Sequence, residues 1–346
     1  DLGTASLKYK SFFAGLVDAE NFKINGGQGD DGQVLTSTGS GVAWEAGGGG
    51  GGVTFKEEGT NFTNSVMVGE DATGTLSSAT GNTALGIDVF AALTSGINNV
   101  AVGYAGMNAL TTGYSNAAVG ANALDSLTSG HSCTGVGHNS LAGVTTANHN
   151  VGVGLNTGVA LTTGNGNTAI GSNTMNSGTT ALNNTVVGTH SATAMTDGIG
   201  NTILGTVSSV ALTTGDYNVT SGYASGYAIT TGDANICMGA SAGLHLTTGS
   251  NNIAIGVNAL NGATTVSGQV AVGHLALRSL TTGDYNNAFG YEALTALTTG
   301  TTNDCWGWQT GKSITTGGTN VCFGSFSMDS GGAQTGGGNT HIGHAG

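Results

Sequence analysis

The chain has 346 residues, of which 65 are glycine and none proline, with 7% charged side chains, 6% aromatics and a formal net charge of −13. Only six Lys plus Arg stand against that acidity, so the basic footprint that nucleic-acid binding needs is missing, and the composition is not that of an ordinary globular enzyme. Disordered chains are usually charge-rich and poor in β-branched residues, whereas Val, Ile and Thr abound here, so order by stacking fits better.

Residues 1–52 form a non-repetitive segment. It holds three of the six basic residues and the turn-rich phrase "NGGQGDDGQVLTSTGSGVAWEAG", and it ends in the run Gly47 to Gly52. The opening "DLGTASLKYKSFF" is not a secretion signal. No apolar run reaches the roughly 18 residues of a membrane helix, so no membrane insertion is expected. A first residue Asp1 rather than Met points to a processed product or to a part of something longer. The glycine run reads as a flexible linker, or as a crowded axis where three chains meet and only glycine fits.

Residues 53–326 repeat. A glycine recurs every 17 residues from Gly69 through Gly86, Gly103, Gly120 and Gly188 to Gly324, sixteen times in one phase. A large apolar residue precedes it in fifteen of sixteen cases, Ser221 being the exception. That column is expected to face a core. Two before the glycine the residue is usually small, as at Ala84, Ala101 and Ala118. Neighbours on a strand point to opposite faces, so the strand is apolar on both. A thin coil can bury only one of them, and a copy of the same chain is the simplest cover for the other.

Four before the glycine stands Asn in thirteen of sixteen repeats, Asn99 and Asn116 among them. Asn tolerates left-handed backbone and can stack into a hydrogen-bonded ladder, so this column is expected to mark a corner. Seven after the glycine an apolar residue, usually Leu, precedes "TTG" or a variant, which suggests a second strand and a second corner. Seventeen residues suit one turn of a β-solenoid and are too few for a helical hairpin. The expected fold is therefore all-β, a β-solenoid or β-roll of about sixteen coils and on the order of 75 Å long. Residues 327–346 break the period, the next matching glycine being Gly343, and read as a terminal, capping or continuing segment.

The phrase "GQVLTSTGSGVAWEA" resembles a short module of phage tail fibres, marine ones especially, and "LGTASLKYKSFFAG" is similar to another phrase of the same fibres. The "N-x-A-V-G" repeats resemble those of such fibres and of the stacked heads of trimeric autotransporter adhesins. The resemblance implies a homotrimeric fibre on a virion tail, extracellular, with other tail proteins and a host-cell-surface glycan or protein as partners. No nucleophile stands with a base, and the scarcity of charge in the repeats argues against an enzyme. The chain departs from the adhesin pattern in its 17-residue coil and in lacking a membrane anchor, and from many such fibres in lacking the C-terminal chaperone they cleave off. A bacterial trimeric surface adhesin is the alternative.

Chemistry-bearing residues are sparse. Cys133, Cys237, Cys305 and Cys322 show no C-x-x-C spacing and read as small core residues; Cys305 and Cys322 share a column one coil apart, inside disulfide range, with a bridge as the alternative that parallel Cβ vectors make awkward. His138 and His274 follow a column glycine and read as solvent-facing, and His341 and His344 could meet copies around a metal. No metal or other cofactor is expected. Asp216 and Asp233 are a stacked acidic pair of the kind a polysaccharide-cleaving tailspike could use, but they read as solvated. Thr stands eight after the glycine in fourteen of sixteen repeats and nine after in eleven, the raw material of an ice-binding face. Adjacent Thr on an extended chain point to opposite sides, which spoils a two-rank surface. Aromatics gather near the end. Phe289, Trp306 and Phe323 share the apolar column and read as a wider core. Tyr291 and Trp308, with Asp284, Glu292 and Gln309, form a candidate glycan-contacting patch.

Overall fold

The computed structural model describes residues 62–69 and 74–344, together with the backbone of five short strands before them. The chain divides into two compact units, Asp1–Thr54 and Phe55–Gly346. In the first, Lys23–Ile24 pairs with Gly27–Gln28 and Gln33–Ser37 with Val42–Ala46, both antiparallel, with Leu35 opposite Trp44. The run Gly47 to Gly52, read as linker or crowded axis, lies outside the described residues.

The second unit is an all-β parallel solenoid of about sixteen turns. Seventeen short strands, from Val66–Gly69 and Thr83–Gly86 through Val100–Val102 to Thr340–Ile342, pair in chain order. Every pairing up to Val321–Phe323 joins residues 17 apart, and the last joins Val321 to Thr340, 19 apart. No helix occurs among the described residues.

The column glycine is dictated by its backbone. All sixteen have φ between +122° and +146°, a region essentially closed to other residues. A Cβ on Gly120 would also lie 2.7 Å from the carbonyl carbon of Gly137. Successive coils thus touch through bare backbone.

The Asn column forms the expected ladder. Asn116 donates its backbone N–H and its Nδ2 to Asn99 Oδ1, both at 3.0 Å, and Nδ2 also reaches the Gly130 carbonyl at 2.9 Å. Gln269 continues the ladder, its Oε1 accepting from Asn286 Nδ2 at 3.2 Å. Cys133 interrupts it, taking the Asn116 bond through its backbone alone. The left-handed corner, however, is one residue earlier: Asn98, Ser115, Ser132 and His149 have φ between 56° and 58°. The ladder Asn is buried and committed to hydrogen bonds, so its neighbour makes the turn.

Two expectations are corrected. The apolar column before the glycine does not face the core: Leu85 is 51% exposed, and Val119, Ile170, Trp306 and Phe323 are exposed as well. The small column two before the glycine is the buried one, from Ala84 and Ala101 to Cys305 and Cys322. Space decides this. Leu124 and Leu141 fill the interior from the opposite wall, and a Cβ on Gly152 would stand 2.7 Å from Leu141 Cγ. Most inward places therefore take small side chains, Met67, Val186 and Ile203 being larger exceptions, and the large residues of the next column turn out.

The second correction concerns the far side of the coil. Leu93, Leu110 and Leu127 are buried there as expected, but the segment is a succession of turns rather than a strand. Left-handed residues two and four after the glycine, such as Asn122 and Leu124 with φ 55° and 53°, break the extended conformation. The turns still bond coil to coil, as in Thr111 N–H to the Thr128 carbonyl at 2.9 Å.

Candidate functional site

The outward side of the parallel ladder is set by strand alternation. With the inward place taken by the small column, the residues three and one before the glycine point out together: Val100 with Val102, Thr168 with Ile170, Ile253 with Ile255. Over seventeen strands these two ranks contain one charged residue, Asp304. The result is a two-rank, largely aliphatic strip along the ladder, half-buried to exposed and uncovered within the chain.

In the last coils the strip changes character. Phe289 and Trp306 stack with ring centroids 4.1 Å apart, and Trp306 and Phe323 follow at 6.4 Å. Instead of widening the core, as their column suggests, these three rings lie outside it. Beside them Asn287 Nδ2 donates to Asp304 Oδ1 at 2.6 Å.

A second aromatic row runs through the residues after the glycine. His274, Tyr291 and Trp308 lie with their rings nearly parallel, at 5.2 Å and 6.0 Å, and Phe326 meets Trp308 edge-on at 4.5 Å. Tyr291 and Trp308 are exposed, as are His138 and His274. Glu292 Oε2 accepts from Gln309 Nε2 and from Lys312 Nζ, each at 2.7 Å. The Lys312 hydrogen bond holds the Glu292 carboxyl below its usual range, Glu292 in turn raises the Lys312 ammonium, and Glu292 pushes the Tyr291 hydroxyl up.

The structure therefore gathers Tyr291, Trp308, Glu292 and Gln309. Asp284 is engaged elsewhere, its carboxylate accepting the backbone N–H of Ser267 at 2.8 Å. Lys312 was not among the residues expected from the sequence, yet it and Arg278 are the only basic residues after Lys56. One coil plus three residues separates it from Glu292, a signal that could have placed it.

The other candidates have structural occupations. Asp216 Oδ1 accepts the N–H of Ile199 at 2.7 Å, and Asp233 Oδ1 that of Asp216 at 2.8 Å. The pair is two rungs of a turn ladder. Cys305 and Cys322 are free, buried register partners, and burial drives the Cys237 thiol up to about 12. His341 occupies the inward column of the last strand and its Nδ1 lies 2.7 Å from Ser327 Oγ, while His344 meets Phe326 edge-on. Among the described residues no group of three or more His, Cys, Asp or Glu side chains converges. Thr eight after the glycine turns its hydroxyl to the next coil, Thr111 Oγ1 donating to the Thr128 carbonyl at 3.0 Å.

In comparisons with known proteins, no family model, curated protein or solved structure matches this chain.

Proposed function

We propose that the solenoid is the shaft of a homotrimeric fibre, carried on a phage tail, that attaches to a host-cell surface without catalysing a reaction. The observation that carries the reading is the uncovered apolar strip. Soluble monomers rarely leave an extended apolar patch open along one side. Seventeen strands at about 4.8 Å make a strip roughly 80 Å long and about 10 Å wide, hence about 800 Å², one partner's share of a standard protein interface. A second copy is the fitting occupant because its strip has the same pitch, the same length and the same lack of charge. Attachment to a virion and a host rests on the likeness of "GQVLTSTGSGVAWEA" to tail-fibre phrases. A bacterial trimeric adhesin shares the physics of the strip and is the second reading.

The rival functions have less to stand on. An ice-binding face needs two outward Thr ranks, and one of them donates its hydroxyls inside the coil stack. A tailspike glycosidase needs a free carboxylate pair, and Asp216 and Asp233 accept backbone amides. The row of Tyr291 and Trp308, flanked by Glu292, Gln309 and Lys312, is the proposed glycan contact: rigid aromatic area beside a fixed polar network suits sugar recognition. Binding of fluorescent protein to host cells tests it. Trp308→Ala should lower binding about tenfold while the oligomer stays intact, and unchanged binding by a folded variant rejects the patch.

A further inference from the structure

The apolar strip has a weakness as an interface: it looks the same after every 17 residues. Two copies packed through Val and Ile ranks alone could slide by one coil and lose a single rung of contact out of many. Regular strands with weakly varied faces specify register poorly, and a unique residue at one level is a general remedy. A fibre whose chains end level therefore needs a feature that breaks the translational symmetry.

One block on the strip does so. From Val68 to Val272 the rank before the glycine is aliphatic apart from Ser221 and the thioether of Met238. At Phe289, Trp306 and Phe323 it becomes three consecutive aromatic rings in one stack. Trp306 is 45% and Phe323 56% exposed within a single chain. At two of these levels the neighbouring rank holds the hydrogen-bonded pair Asn287 and Asp304. Ring size thus steps up abruptly between Val272 and Phe289, while the only charge on the strip stands beside the central ring.

We infer that the block of Phe289, Trp306 and Phe323 sets the axial register in which copies of this chain pack. The inference rests on the self-association proposed above. With copies level, block lies against block and the large rings fill the widened gap. After a slip, the rings of one copy meet the shallower ranks of the other and hold the strips apart, which costs packing over every neighbouring rung. The Asp304 to Asn287 bond lies within the chain, so Asp304 keeps a hydrogen-bond partner in either arrangement.

Register is read by distances between labels on different copies. Thr112 and Thr231 are exposed and seven coils apart, about 34 Å along the axis, and the four native cysteines are buried. Full-length chains carrying a nitroxide at Thr112→Cys are co-assembled with chains carrying one at Thr231→Cys, and inter-copy distances are measured by pulsed electron resonance. The unsubstituted face should give one narrow distance. The triple substitution Phe289→Val, Trp306→Val and Phe323→Val, which restores the aliphatic column, should give several distances stepped by about one coil rise of 4.8 Å. A single narrow distance in the triple variant overturns the inference. A complementary variant guards against misfolding: Phe289→Val, Trp306→Val and Phe323→Val combined with Val187→Phe, Leu204→Trp and Ser221→Phe move the block six coils earlier. Co-assembled with chains of unsubstituted face, it should pack displaced by six coils, and level packing of the two also overturns the inference. If the unsubstituted chain is monomeric, the self-association reading itself has failed, a result distinct from either.

Discussion

At the level of single residues, the fold depends on positions where a backbone geometry admits one side chain. Gly188 has φ +146°, and a Cβ there would collide with the Gly205 carbonyl. Gly188→Val should cost about 3 kcal/mol or more, combining backbone strain with overpacking. Asn183, exposed and left-handed at φ 56°, should lose only about 1 kcal/mol as Ala. Urea midpoints of the two variants test the contrast, and equal midpoints would refute it. A second residue-scale prediction concerns the ladder. Asn218 Oδ1 accepts both the backbone N–H and Nδ2 of Asn235, each at 3.0 Å. Asn218→Ala leaves two buried donors without an acceptor, a loss of about 2–6 kcal/mol at about 1–3 kcal/mol each. A loss under about 1 kcal/mol would show that the ladder is not a main support.

At the level of the coil, the unit of structure is seventeen residues and each unit contacts its two neighbours. Stability is then a sum of similar increments, and whole coils are removable. Deleting residues 172–188 should leave a folded rod one coil shorter, with its β-type circular dichroism intact and its unfolding still cooperative. Deleting 173–188 instead shifts every later residue by one place, turning the small inward column out and the apolar outward column in. That variant should aggregate or lose its signal, and equal behaviour of the two deletions would contradict the coil assignment. The period, the parallel pairing and the Asn ladder were legible in the sequence because each is a column property of identical residues. The facing of the strand was not. Alternation shows that Ala101 and Val102 lie on opposite sides, but which side is inward depends on how much room Leu124 leaves, a tertiary quantity. The turn-built far wall was hidden for a related reason: Leu124 and Met107 at positive φ look like ordinary helix or strand formers in one dimension.

At the level of the whole molecule, the inverted facing strengthens the case for self-association, because the large side chains rather than the small ones are left outside. Of the candidate patch, Tyr291, Trp308, Glu292 and Gln309 were recoverable from column position, whereas the commitment of Asp284 to the Ser267 amide and the arrival of Lys312 from the next coil needed coordinates. The central claim is that the uncovered strip is an interface between copies of this chain. Sedimentation equilibrium of the native protein tests it most directly. The account predicts a single species at about three times the chain mass of 33.7 kDa, which Val136→Asp together with Val153→Asp converts to smaller species. A folded, monodisperse monomer of 33.7 kDa at micromolar concentration would contradict it.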